Sequence, residues 1–291
     1  MNKPRIVIAS KSGQLGNRII LFAHFIANAI EYGYELYNPN FDEYCLFFDS
    51  TTNNNFDGYP ITVVGKDFIN LRQKKISERI NFNTLRYLLL PSCKILKTKK
   101  RYELSDKYFL NLLERKKIII TYGWLFRDRD NFNKYLDILK KIFSPIEIHA
   151  RNVDRLIQNC RSDQEKNKLL IGVHIRRGDY QTFQGGKYYY ENSVYLKYMT
   201  QIYEIFQQEQ KSVAFLLCSN ETISEVFNQF EVYTGTGHLI EDLYCLAKCD
   251  YLMGPTSTYT SWASIYGNVP LCHLQTRDQV LQLSDFKVFR E

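Results

Sequence analysis

Short apolar runs alternate with longer runs of helical period on both sides of about residue 160, and this alternation leaves few folds open. RIVIAS (5–10) passes through KSGQLGN into RIILFAHFIANAIEYG and then YELYN, which reads as strand, glycine loop, helix and strand. KKIIITYGW (116–124) reads as a strand and NFNKYLDILKKIF as a helix, stopped before Ser144-Pro145 because the residue ahead of a proline disfavours helical dihedrals. The second half repeats the pattern. LLIGVHIR, SVAFLLCS, DYLMG and PLCHL read as strands; SVYLKYMTQIYEIFQQEQ, ETISEVFNQF, HLIEDLYCLAKC and TSWASIYG read as helices. Such alternation predicts two α/β domains with parallel sheets, residues 1–155 and 156–291, with ligands bound beyond the carboxyl ends of strands and in the cleft between the domains.

A length of 291 residues suits two domains, and 45% hydrophobic with 24% charged residues describes a folded chain. No apolar run approaches the length that a bilayer requires. Met1-Asn2-Lys3-Pro4-Arg5 leads directly into a strand without the apolar region of a signal peptide, so a cytoplasmic location is expected. The seven cysteines are scattered and form no C-x-x-C pair, which points to reduced core residues. Cys245 and Cys249 share a helix face, yet no histidine stands at ligand spacing from them.

Of the +7 formal charge, more than the whole lies between Lys66 and Lys117, where fifteen Lys and Arg face five Asp and Glu. A segment of this kind attracts nucleic acid, acidic polymers or an anionic membrane surface, or it is a solvated basic face. Its aromatic residues lack the regular interleaving of a single-strand binder, so no nucleic acid partner is expected, while peripheral membrane contact stays open. From Asp67 to Tyr108 the chain reads as helical in parts.

Polar chemistry gathers at three places. In GVHIRRGDY the apolar strand ends in His174, Arg176, Arg177 and Asp179, with His174 and Arg176 on one side by period two. A guanidinium grips phosphate through two parallel hydrogen bonds, and Asp179 is expected to hold Arg177 and pin the loop. The plainer alternative is an Arg/Asp pair closing a turn. In EDLYCLAKCDYLMGPTSTYTSWA, Ser257 and Thr258 open a helix whose free N–H groups suit an anion, or cap that helix in the ordinary way. Asp242, in the first turn of its own helix, is a dipole partner or an acceptor for the N1 and N2 edge of a guanine. In SGQLGNRI, Gly13 and Gly16 allow close backbone approach and Asn17 opens the helix; the spacing is not that of a dinucleotide fingerprint. Asp128-Arg129-Asp130 has the form of a metal-binding D-x-D, but its place before a helix favours dipole and cap roles.

GQLGNRI, TYGWLF, HIRRGDY, LLCSNE and EDLYCLAKCDYLMGPTSTYTSWA, taken in order, resemble the α-1,2-fucosyltransferase family and its α-1,6 and protein O-fucosyltransferase relatives over nearly the whole chain. The resemblance implies a GT-B architecture of two Rossmann-like domains. It also implies inverting transfer of fucose from GDP-fucose to a glycan hydroxyl, a galactoside in α-1,2 linkage, with no cofactor and no metal. On the matching positions, Arg176 stands for the arginine at the β-phosphate, and His174 and Asp242 for contacts to base and ribose. Ser257 and Thr258 stand for phosphate donors, Gly16 and Asn17 for the loop of an acceptor-side N-terminal domain, and Arg177 and Asp179 for supports behind them. Arg18 replaces a glutamine and SNE (219–221) a more acidic turn, which bears on the acceptor more than on the donor. Other fucosyl linkages, a non-catalytic GDP-sugar-binding module and a basic nucleic-acid-binding protein are the alternatives.

Overall fold

The computed structural model describes residues 3–63, 92–161, 168–223 and 225–291. The chain divides into two compact units, Met1–Ile146 with Glu291, and Glu147–Arg290. None of the described helices is long and apolar enough to cross a membrane.

The first unit contains β1 (Arg5–Ile8), α1 (Leu15–Tyr32), β2 (Glu35–Tyr37), β3 (Ile61–Thr62), β4 (Cys93–Lys97), β5 (Tyr102–Glu103), α2 (Lys107–Arg115), β6 (Ile118–Tyr122), β7 (Phe126–Arg127), α3 (Arg129–Lys134) and α4 (Leu136–Ile142). Its main sheet has the order β3-β2-β1-β6-β4 with every pairing parallel. Helix α1 buries Ile19, Phe22, Ile26 and Ala29, a run of three- and four-residue steps, and ends at Gly33 in the left-handed region.

Several local expectations change here. The helix begins at Leu15 with Gln14 as its cap, so Asn17 lies within the first turn and does not open it. Gly13 has φ +62°, and a Cβ there would meet Asn17 Nδ2 at 2.0 Å, so the loop packs against that side chain. The helix expected over NFNKYLDILKKIF is two short helices, α3 and α4, meeting at Tyr135. Asp128 is the fully buried cap of α3, accepting from Asn131 N–H at 3.2 Å and from Asn28 Nδ2 at 2.6 Å, while Asp130 is exposed. Of the basic segment, residues 66–91 lie outside the described residues. The remainder opens with a strand, β4, where helix was expected, and becomes helical only from Lys107.

The second unit contains α5 (Glu147–Cys160), β8 (Leu169–Ile175), α6 (Asn192–Gln208), β9 (Val213–Ser219), β10 (Val232–Thr234), α7 (Leu239–Leu246), β11 (Tyr251–Pro255), α8 (Thr258–Gly267), β12 (Pro270–Leu274) and β13 (Lys287–Val288). The sheet order is β10-β9-β8-β11-β12-β13, parallel except for the antiparallel edge strand β13. Ile171, Val173 and Ile175 join one core with Tyr195, Tyr198, Met199, Ile202 and Phe206 of α6. The intervening Leu170, Gly172 and His174 face the other side, where a Cβ on Gly172 would strike Leu246 of α7 at 2.8 Å. Covered on both faces, β8 and β9 are apolar along nearly their whole length, as their sequences imply. No α-helix forms over ETISEVFNQF: its described residues contain only the 3-10 turn Glu225–Phe227. Two adjacent β-branched residues, Thr222 and Ile223, weaken its helical start.

Candidate functional site

In the second sheet the chain runs outward from β8 through β9 to β10, then restarts on the other side of β8 with β11 and β12. The order reverses between β8 and β11, the position at which open α/β sheets leave a crevice beyond their carboxyl ends. An open cavity lies there, lined by His174 and Arg176 after β8, by Cys218, Ser219 and Asn220 after β9, by Gly237, Leu239 and Asp242 around the start of α7, and by Tyr259 of α8.

His174 is buried, and its ring lies against Tyr259 with centroids 5.0 Å apart. Burial, with the Arg176 and His273 charges in support, pulls its pKa down to about 3, so the imidazole is neutral. Its Nδ1 is buried and hydrogen-bonds to no described residue. Arg176 follows on the same side, its Nη2 2.7 Å from Asp179 Oδ1 and its guanidinium over the Tyr180 ring at 5.2 Å. Tyr180 in turn donates from its hydroxyl to Thr256 O at 2.8 Å, which ties this turn to the loop after β11.

The expected Asp179–Arg177 pairing is replaced. Residues 178–181 form a 3-10 turn directly after the strand end, and Asp179 pairs with Arg176 instead. Arg177 points away from the cavity and is buried, donating to the Tyr190 carbonyl and to Asn192 Oδ1, between the Tyr189 and Tyr195 rings. Its backbone N–H donates to Asn220 Oδ1 at 3.1 Å, so the SNE turn braces the arginine strand end.

Asp242 is buried, and burial drives its pKa up to about 6 against the pull of the Thr236 and Gly237 backbone N–H groups. Thr236 Oγ1 donates to its Oδ1 at 3.4 Å. Gly235 makes this packing possible, since a Cβ there would lie 2.5 Å from the same oxygen. Tyr259 closes the floor, its hydroxyl donating to Leu239 O at 2.7 Å.

The structure therefore brings His174, Arg176 and Asp242 to one cavity and leaves other expected residues apart from its lining. Ser257 caps α8 by accepting from Tyr259 N–H at 3.2 Å, and Thr258 is the first residue of that helix; neither lines the cavity. Gly16 and Asn17 belong to the first unit. Tyr259 and Leu239 carry no mark in the sequence, and Asn220 is marked there only as part of the SNE turn. Asn220 had a signal, a polar pair directly after an apolar strand, whereas Leu239 and Tyr259 become lining residues only through the packing of α7 and α8.

The model of Glycosyl transferase family 11 matches residues 92–272, well over half of the chain and all the strand ends that form this cavity. This chain belongs to glycosyl transferase family 11. The family 11 protein matches none of the curated proteins by sequence. Among solved structures, a mutant of Arabidopsis thaliana FUT1 in complex with GDP is 15% identical, with a TM-score of 0.59 over 99% of this chain and 74% of that one. The fucosyltransferase NodZ from Bradyrhizobium is 15% identical, with a TM-score of 0.56 over 94% of this chain and 96% of its own. POFUT1 in complex with GDP is 14% identical, with a TM-score of 0.53 over 94% and 99%. At such identities the likeness is one of fold: the family 11 protein has the α/β GT-B architecture of fucosyltransferases, with two Rossmann-like units.

Proposed function

We propose that this protein transfers fucose from GDP-fucose to a glycan hydroxyl with inversion and without a metal ion. The observation that carries the reading is the meeting of Arg176, neutral His174 and the Asp242 carboxylate in one cavity at the sheet's reversal point. Asp242 accepts from the N1–H and N2–H edge of guanine, and Nδ1 of His174, which has no partner among the described residues, accepts from the ribose or base. Arg176 bonds the β-phosphate. As the bond from the fucose anomeric carbon to the phosphate oxygen breaks, its electron pair stays on GDP. A guanidinium already fixed by Asp179 and Tyr180 meets that charge with little reorganisation. The acceptor hydroxyl attacks from the opposite face and inverts the carbon, and its proton passes to solvent, leaving the fucoside and GDP.

Ser257 and Thr258, at the start of α8, act on this reading by fixing that helix start beside the phosphates. Arg177 and Asp179 hold the strand end and the catalytic guanidinium respectively, and Gly16 and Asn17 serve the acceptor side. Linkage is proposed as α-1,2 to a galactoside, on the HIRRGDY and STYTSW resemblance. NodZ, an α-1,6-fucosyltransferase by its description, shares the fold, which keeps that linkage as the second reading. We further propose a cytoplasmic protein, with the basic 66–117 segment available to anionic membranes; co-sedimentation with phosphatidylserine vesicles tests this.

The test is mass-detected transfer from GDP-fucose to a panel of galactosides and core glycans in excess EDTA. Transfer to a galactoside 2-hydroxyl, undiminished by chelation, is expected. Activity that EDTA abolishes and magnesium or manganese restores would overturn the metal-free reading. Tight GDP-fucose binding without turnover on any acceptor would mark a binding module instead.

A further inference from the structure

A second cluster of side chains stands beside the cavity, where α5 meets the start of α7. His149 Nδ1 and Glu241 Oε1 are 2.9 Å apart, and the His238 ring stacks on His149 with centroids 4.4 Å apart and planes at 23°. One ligand atom from each of the three lies within 4.8 Å of the other two, the only such trio of His, Cys, Asp or Glu among the described residues. Local structure gives a weak account of these residue types. His238 occupies the cap position of α7, accepting from Ile240 N–H at 3.3 Å, where Ser, Asp, Asn or Thr caps better.

Two imidazole nitrogens and one carboxylate oxygen are the donor set of an open zinc site, in which a water takes the fourth position. Bonds of 2.0 to 2.2 Å set neighbouring ligand atoms about 3.3 Å apart in a tetrahedron, so the His149–Glu241 pair already has nearly the required spacing. His238 completes the set by turning about its side-chain bonds. Asn152 Nδ2 donates to Glu241 Oε1 at 2.7 Å, an orienting partner of the kind that stands behind metal ligands.

We propose that His149, His238 and Glu241 form a binding site for a divalent transition cation of the zinc class, separate from the donor cavity. On binding, His149 takes the tautomer that carries its proton on Nε2, so that Nδ1 ligates through its lone pair, and His238 leaves its cap hydrogen bond. Thr236 Oγ1 donates to Asp242 Oδ1 and accepts from His238 N–H at 3.2 Å, so the site lies one side chain from the cavity wall. The proposal does not depend on the donor assigned above.

Metal-stripped protein titrated with Co²⁺ and followed by visible absorption tests it, with Zn²⁺ affinity measured by competition against a chromophoric chelator. One saturable equivalent with d–d bands and no thiolate charge-transfer band is expected. His149→Ala and Glu241→Gln should each weaken Zn²⁺ binding at least tenfold, while their melting transitions stay cooperative. Lack of saturable binding, or affinity unchanged in both variants, would overturn the site. A thiolate charge-transfer band would do the same by moving the metal to the cysteines.

Discussion

Arg176 and Arg177 are neighbours in sequence with opposite surroundings, and their variants should separate accordingly. Arg176 faces the cavity with Asp179 and Tyr180 behind it. Arg176→Lys keeps the charge and loses the planar fork, so transfer should fall by orders of magnitude, ~2 to 4 kcal/mol, with the melting temperature nearly unchanged. Arg177→Ala instead strands the buried Tyr190 carbonyl and the half-buried Asn192 side chain and should cost about 1 to 3 kcal/mol of stability. Transfer rate and melting temperature on both variants decide the matter: near wild-type transfer in Arg176→Lys would remove it from the chemistry. Asp242 gives the pH prediction. Its carboxyl titrates at about 6 in the fold against an ordinary 3.8, so the folded state holds the proton more tightly. Ionising Asp242 therefore costs stability as pH rises through the window from about 4 to about 6, and that cost is fully present at pH 7. Asp242→Asn should raise the melting temperature at pH 7 by roughly 2 to 5 °C. If ionised Asp242 reads guanine, the ratio of GDP to UDP affinity should drop about tenfold per pH unit below about 6, since phosphate titration cancels in the ratio. A pH-independent ratio in the wild type would contradict this role.

At the scale of elements, the turn from β10 into α7 determines where Asp242 can be. Gly235→Ala would put a methyl 2.5 Å from Oδ1 and 3.0 Å from Oδ2, so the carboxylate must shift. Calorimetry should show GDP binding weakened at least tenfold with the melting temperature within a few degrees of wild type; unchanged affinity would mean the carboxylate is not a ligand contact. The elements of this unit were largely legible in sequence because the sheet is covered on both faces: LLIGVHI and VAFLLCS are apolar end to end, and their polar tails mark where the strands leave the core. Strand β4, CKILK, was missed because its lysines read as part of a basic helical stretch, although its pairing with β6 is long-range and local pattern cannot reveal it. ETISEVFNQF failed in the opposite sense, its helical spacing outweighed by β-branched residues and by a chain that needs only a turn to reach β10. His174, Arg176 and Asp242 could be read because each sits next to an apolar run. Tyr259 could not, since only the packing of α8 brings its ring against His174.

Across the whole molecule, both units repeat one plan, a parallel sheet whose order reverses beside its first strand. The family 11 model reaches across both units, from Ser92 to Cys272, so the family is a property of the pair. Calorimetric titration of the full chain in EDTA decides whether the second unit recognises a guanine nucleotide through Asp242 and Arg176 without a metal. GDP, UDP and ADP are compared at one pH above 7. GDP binding at least tenfold tighter than the other two and undiminished by the chelator is expected. Equal affinity for the three nucleotides, or GDP binding that appears only when magnesium or manganese is restored, would contradict it.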